Sequence, residues 1–418
     1  TYFFGLENAI NLLRTAIRNA FESVKELDAA MTETAVVTDF TVGDMWEALP
    51  EYTKVANELG ATTLGAYETM TLFYQQGLET NQAFEVGTET MKMARIANMD
   101  YAEATDLMTA ALRGFNMELN EISAQRVNDV YSELAAITAA DTQEIGVAMS
   151  KTASIAANAN MEFETTAALL SQIIEATREA PETAGTAMKT IIARFSEVKE
   201  LYSEGQLTGT DSEGEEININ KIDAALKNVG ISLNDFLTGK QGLDDVFLQL
   251  AERWNTLDLA TQRYIATVAA GSRQQSRFLA MMSNYDRTME LVNAAYNSTG
   301  ASQQQFEKTT DSLQAKLNKL SNAWNEFTMG LANNKLIKLG IDILTKFLTA
   351  LNNLTDVLGE GTSGILKFVA AFGLFKGGRK LFNNLLGSFS RLWAQAKKDG
   401  SDTGEQVAQN FYTRFTDS

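Results

Sequence analysis

Only two prolines, Pro50 and Pro181, occur in 418 residues, and this scarcity limits what the chain can fold into. Proline blocks the interior of a helix because it lacks an N–H group and its ring clashes with the preceding turn. Residues that favour helices, such as alanine, leucine, glutamate and glutamine, are abundant instead. The sequence therefore predicts an all-α protein, and its 45% of hydrophobic residues can fill several buried cores.

Two stretches carry apolar residues at alternating spacings of three and four, the heptad pattern of helices that pack along one another. The first runs from Ile10 to Met31 and the second from Phe306 to Leu331. Both are predicted to be long coiled-coil-like helices through which copies of the chain associate. The predicted seam residues are Ile10, Leu13, Ile17, Val24, Leu27, Phe306, Leu313, Leu317, Leu320, Trp324 and Phe327.

Between the two seams the pattern breaks into shorter helical pieces, which predicts a compact multi-helix bundle. Apolar residues share one helical face from Phe163 to Ile174 and again from Met188 to Val198, and these two stripes are predicted to be core. Glycines punctuate the first part at positions suited to helix ends. They are Gly60, Gly65, Gly77, Gly87, Gly114, Gly146 and Gly185.

Composition divides the chain further. The segment 204–220 loses the helical period and gathers Gly, Asp and Ser, which predicts an exposed loop or a small hairpin. We predict four parts, which are an N-terminal amphipathic helix (1–39), a helical core domain (40–299), a coiled-coil helix (300–335) and an amphipathic, apolar and basic C-terminal segment (336–418). The chain opens at Thr1 without an initiator Met or a signal-peptide pattern, so we expect it to be a piece of a longer protein.

Histidine and cysteine are both absent from the chain. These two residue types supply most zinc ligands, most general bases near neutral pH and all thiol nucleophiles. Metallohydrolase, cysteine-protease and Ser-His-Asp mechanisms are therefore excluded within this segment. Paired carboxylates for glycoside cleavage need no histidine and stay open, but nothing in the sequence selects a pair. We assign no catalytic, metal or cofactor-binding residue.

Three short motifs suggest chemistry, and each has a plainer interpretation. Gly359, Gly361 and Gly364 match a dinucleotide-binding fingerprint but follow a helical pattern instead of a strand, which favours a flexible hinge. The pair Ser196 and Lys199 has the spacing of a penicillin-recognising nucleophile without its partner motifs, which favours a surface helix turn. The acidic residues near 211–216 lack the ordered spacing of a calcium loop, which favours a solvated turn.

The net charge of −18 is unevenly distributed. Residues 364–398 hold seven Lys or Arg and no acid, while the rest of the chain is strongly acidic. An acidic body repels phosphate backbones, so no specific nucleic acid is predicted as a partner. The C-terminal segment has the basic amphipathic character of a helix that lies on anionic lipid, although its apolar run is too short to span a bilayer. Membrane contact is predicted at Ile365, Leu366, Phe368, Phe372, Lys376, Arg379 and Lys380.

Several sequence blocks occur in order over about residues 35–285, namely Glu58–Thr63 with Gln76–Leu78, Ala110–Asn116, Ala184–Phe195, Ala225–Ser232 and Ala269–Leu279. The last block is the most specific, because its Gly-x-Arg run is unusual in a generic helix. Together the blocks resemble the tail tape measure proteins of long-tailed bacteriophages and related prophages. The resemblance implies a shared helical core domain within a much longer chain, with several copies in the lumen of the growing tail tube.

The resemblance further implies that the length of the whole protein sets tail length and that it leaves before or with the DNA during infection. The implied partners are the chain itself, tail tube and tail tip proteins, and tail assembly chaperones. The implied locations are the virion tail lumen and, during assembly, the host cytoplasm. Our hypothesis is a non-enzymatic tape measure fragment that scaffolds tail-tube assembly.

Two rival hypotheses belong to other classes. One is a membrane-active ejection or pore-forming factor that acts through residues 336–398 on a host membrane. The other is a bacterial surface or secretion-related coiled-coil protein that shares only the helical composition. The ordered blocks argue against the second rival, because composition alone would not reproduce them.

Overall fold

The computed structural model describes residues 25–211, 213–310, 315, 318, 319 and 321–323. These residues form helices and one small hairpin, which confirms the predicted all-α fold. The contacts divide the chain into residues 30–315 and a second unit of residues 1–29 and 316–418. The account below concerns the unit 30–315.

The first described helix, α1, includes residues 25–37. Seven further helices precede residue 181, namely α2 (Val42–Leu59), α3 (Thr63–Gln75), α4 (Thr80–Ala97), α5 (Tyr101–Gly114), α6 (Glu121–Ile137), α7 (Thr142–Asn158) and α8 (Phe163–Thr177). The next elements are α9 (Pro181–Ser203), β1 (Thr208–Thr210), β2 (Glu216–Asn218), α10 (Ile219–Lys227) and α11 (Asn234–Leu237). The last described elements are α12 (Leu243–Trp254), α13 (Leu259–Met282), α14 (Tyr285–Tyr296) and α15 (Ala301–Thr310).

Local capping explains where many of these helices begin. The Thr41 hydroxyl accepts from the Asp44 N–H while the Asp44 carboxylate accepts from the Thr41 N–H, so α2 starts with a capping box. Asp141 and Glu144 start α7 in the same way. Pro181 occupies the first turn of α9, where its missing N–H costs nothing. These starts follow from residues within one turn of each other.

Helix α7 lies in the middle of the bundle, with α5, α8 and α9 packed against it. Glycines at its contacts allow close approach of neighbouring helices. A Cβ at Gly185, inside α9, would lie 2.5 Å from the Ala148 carbonyl oxygen, and a Cβ at Gly114 would lie 2.4 Å from the Ala153 Cβ. The prediction that these glycines mark helix ends was right for Gly60, which caps α2, for Gly77, which follows the C-cap of α3, and for Gly114, the last residue of α5, but wrong for those inside helices. The latter are Gly65, Gly87, Gly146 and Gly185.

Several groups of aromatic side chains mark the core of the described residues, one of them around Phe163. In another, Tyr52 stacks on Tyr67 with ring centroids 3.8 Å apart. In a third, Phe247 contacts Phe195 and Phe278 edge-to-face at 5.6 and 6.0 Å, an arrangement that aromatic quadrupoles favour. The predicted core stripes are confirmed, because all their named residues are buried. They are Phe163, Ala167, Leu170, Ile174, Met188, Ile191, Ile192, Phe195 and Val198.

The predicted hairpin near 204–220 is confirmed. Strands β1 and β2 pair antiparallel, with Gly209 opposite Ile217. Helix α15, which the sequence analysis assigned to a separate coiled-coil segment, packs against α4 and α6 within the unit 30–315.

Candidate functional site

The described part of the chain contains two of the predicted seam residues. Phe306 is 6% exposed, and the Lys92 ammonium lies 5.9 Å from its ring centroid. Phe306 therefore belongs to the core of its own chain, which leaves little of its side chain for a second copy. Leu27 is also buried, at 1% exposure. Self-association through the other seam residues stays a prediction, because they lie outside the described residues, namely Ile10, Leu13, Ile17, Val24, Leu313, Leu317, Leu320, Trp324 and Phe327.

The predicted membrane-contact residues, between Ile365 and Lys380, also lie outside the described residues, as does the glycine motif at 359–364. In the part that the structure describes, no helix combines the length and the apolar character needed to cross a bilayer. Within the same part, no three acidic side chains converge to hold a metal ion. The Ser196 hydroxyl donates to the Ile192 carbonyl of its own helix, so it does not pair with Lys199.

The most distinctive site in the described residues joins the hairpin to α9 and α13. We call Arg194, Asp211 and Glu215 the hairpin cluster. The Arg194 guanidinium forms an ion pair with Asp211, and both side chains are almost fully buried. It also donates to the Glu216 carbonyl at 2.6 Å and to the Val268 carbonyl at 3.3 Å. One arginine therefore ties the turn, strand β2 and helix α13 to α9.

Glu215, the third member of the hairpin cluster, binds Ser272 of α13. Its carboxylate accepts from the Ser272 N–H at 2.7 Å and from the Ser272 hydroxyl at 2.5 Å. These two hydrogen bonds favour the charged form and lower the pKa of the Glu215 carboxyl. The prediction of a solvated acidic turn was wrong for Asp211, which is buried against Arg194, and for Glu215, which binds Ser272. It was right for Glu216, which is exposed.

Helix α13 is broken at the point that Glu215 reaches. Gly271 has φ +74° and ψ 170°, a conformation that side-chain-bearing residues rarely adopt. A Cβ at Gly271 would lie 2.5 Å from the Glu215 carboxylate. The backbone angle therefore requires glycine, and a Cβ there would also displace the Glu215 carboxylate. We call residues 268–272 the α13 corner.

Two other carboxylates also accept from the start of a helix far away in sequence. Asp129 accepts from the Gly300 and Ser302 N–H groups, both at 2.9 Å, and so caps α15. Asp244 accepts from the Glu162 N–H at 2.9 Å at the start of α8, where no side chain of the helix provides a cap. Burial raises the pKa of Asp244 to about 6.

Bidentate ion pairs connect further helices at the edge of the core. Arg277 binds Glu179 through two hydrogen bonds of 2.7 and 2.8 Å. Arg287 binds Glu175 in the same manner and also donates to the Ile137 carbonyl. These contacts hold α13 against the connection between α8 and α9, and α14 against α6 and α8. A shallow open depression beside Arg277 is lined partly by Glu182 and Gln274.

The sequence indicated one part of the hairpin cluster and its surroundings but did not predict the pairing of Arg194 with Asp211 or the capping carboxylates. The block Ala269–Leu279 was singled out for its Gly-x-Arg run, and the structure places that run at the α13 corner. Arg194 lay within another singled-out block, yet nothing in the sequence paired it with Asp211. No periodicity indicates that Asp129 or Asp244 would cap a distant helix.

Comparisons with known proteins agree with the family resemblance seen in the sequence blocks. The sequence profile of the family described as "Phage-related minor tail protein" matches residues 53–271. A tape measure protein of Pneumococcus phage Dp-1 is 25% identical over 382 residues, which cover 88% of this chain and 30% of that protein. The chain thus spans less than a third of that relative's length. No solved structure is significantly similar to this chain.

Proposed function

Since this chain belongs to the phage-related minor tail protein family, we propose that it is a segment of a tail tape measure protein. The observation that carries the proposal is the match to a tape measure protein over 88% of the chain. The bundle supports a scaffolding role, because its polar clusters join helices to one another instead of forming a substrate pocket. The segment would serve as a structural part of the tail and not as an enzyme.

In this role the segment is one folded part of a much longer chain. The ruler itself would lie mainly outside it, since a bundle of short helices is far more compact than an extended rod. Copies of the chain would associate with one another in the tail lumen and contact tail tube proteins, tail tip proteins and assembly chaperones. They would leave the tail before or with the DNA. The acidic surface of the bundle would keep it apart from the DNA.

Tail length in a phage that encodes the full protein tests the proposal. In-frame deletion of helical turns outside residues 25–310 is expected to shorten the tail by about 1.5 Å per residue removed. Electron microscopy of purified virions measures this length. As a control, a silent recoding of the same stretch should leave tails unchanged. Tails of parental length in a viable deletion phage would refute the ruler role.

A further inference from the structure

The α13 corner interrupts the helical hydrogen bonds that span Gly271. One of them would join the Ser272 N–H to the Val268 carbonyl, four residues earlier. The hairpin cluster provides a substitute partner for each of these two groups. Glu215 accepts from the Ser272 N–H at 2.7 Å, and Arg194 donates to the Val268 carbonyl at 3.3 Å. The break in α13 therefore depends on contacts with the docked hairpin.

Helix α13 bends sharply at the α13 corner, and a side chain after the break reaches the helix before it. The Gln275 side-chain amide donates to the Arg263 carbonyl at 3.0 Å and to the Thr267 hydroxyl at 2.9 Å. In a continuous helix, residues 263 and 275 would be separated by about 18 Å along the axis, beyond the reach of a glutamine side chain. The two arms of α13, residues 259–270 and 272–282, therefore fold towards each other.

Apart from Gly271, no residue of α13 departs from helical angles, and no proline interrupts it. Glycine can adopt helical angles as well as the angles it has here. The first arm buries one large side chain, Ile265, besides three alanines. The second arm buries Phe278, Met281 and Met282. The first arm is therefore the one that can leave the core at the smaller loss of apolar burial.

We propose that α13 is a two-state hinge whose state is set by the hairpin. With the hairpin docked, α13 is broken at Gly271. When the hairpin leaves, the Ser272 N–H bonds to the Val268 carbonyl and α13 becomes one continuous helix about 36 Å long. This conformational device goes beyond the tape measure role and does not rest on it, because the substituted hydrogen bonds carry the argument.

Spin-label distances in the whole chain test the hinge. The chain has no cysteine, so Ala260→Cys and Ser283→Cys, both at exposed positions, would give a unique label pair. A continuous helix separates these positions by about 35 Å along its axis, and the broken form brings them closer. We expect only the shorter distance in the parent protein. Adding Glu215→Ala and Gly271→Ala should shift label pairs to the distance of about 35 Å.

A matched control carries Glu204→Ala and Gly77→Ala. Glu204 is an exposed acid, and Gly77 also has a positive φ, of 83°, with open space around it. The control should keep the parental distance. If the double variant does not fold, as judged by circular dichroism, Glu215→Ala alone decides, because this half-buried carboxylate contributes little to the core. A folded variant without the longer distance would overturn the hinge.

Discussion

Residues 30–180 and 181–310 are both helical, but different forces hold them. The first region has 23 acidic and 7 basic residues, a net charge of −16, whereas the second has 17 and 12, a net charge of −5. In the first region local caps start the helices, and glycines such as Gly114 bring them close together. In the second, the buried pair of Arg194 and Asp211 anchors the hairpin. Close helix contacts at glycines therefore characterise the first region, and the buried ion pair that anchors the hairpin characterises the second.

Removal of the central arginine should have the largest effect. Arg194→Met would leave the Asp211 carboxylate buried without its partner, which typically costs about 3–5 kcal/mol of unfolding free energy. Urea denaturation followed by circular dichroism measures this loss. Lys221→Met is the control, because its ion pair with Glu216 is exposed and should contribute less than about 1 kcal/mol. Equal losses in both variants would mean that the hairpin does not depend on Arg194.

A methyl group at a helix contact should have the next largest effect. Gly114→Ala would place a Cβ 2.4 Å from the Ala153 Cβ and 3.2 Å from the Ser154 backbone N, and such overpacking costs about 2–3 kcal/mol. Gly43→Ala meets only an ordinary contact, at 3.4 Å, and should stabilise α2 by up to about 1 kcal/mol. Thermal unfolding compares the two. The first region would not depend on close packing if both substitutions raised the melting temperature.

A change of pH should have the smallest effect on the free energy of unfolding, and the pKa of Asp244 determines the sign of this effect. Its folded-state pKa of about 6 lies above the ordinary value of 3.8, so between these values the folded protein binds a proton that the unfolded chain does not. Asp244 therefore makes the protein more stable as the pH falls from 7.5 to 4.5, by about 1–2 kcal/mol.

Comparison of stability curves isolates this contribution from other titrating groups. Asp244→Asn should lack it, whereas Asp245→Asn, at the exposed neighbour, should keep most of it, because burial is the main cause of the raised pKa of Asp244 and the charge of Asp245 a smaller one. Urea denaturation at several pH values measures each curve. The same pH dependence in all three proteins would show that Asp244 is not the responsible group.

The hairpin cluster shows which features of the site the sequence could predict and which it could not. Residue types that favour turns indicated the hairpin at 208–218. The unusual Gly-x-Arg run singled out the block at the α13 corner as a family feature, but it did not predict the break at Gly271. The sequence did not indicate that Asp211 is buried, because an acidic residue among Gly and Ser has the same local pattern whether it faces solvent or an arginine. The second seam was likewise predicted as a surface for another copy, since a heptad does not specify whose helix it packs against. Phe306 packs within its own chain.

The sequence by itself determined the helical class, the core stripes and the family resemblance, because helix period, proline scarcity and ordered blocks are properties of neighbouring residues. Only the tertiary structure decided which glycines separate helices and which carboxylates cap them. Glu215 and Ser272 are 57 residues apart, and Asp129 and Ser302 are 173 apart. Such pairs meet only after the helices have packed, so their chemistry depends on the three-dimensional arrangement of the bundle.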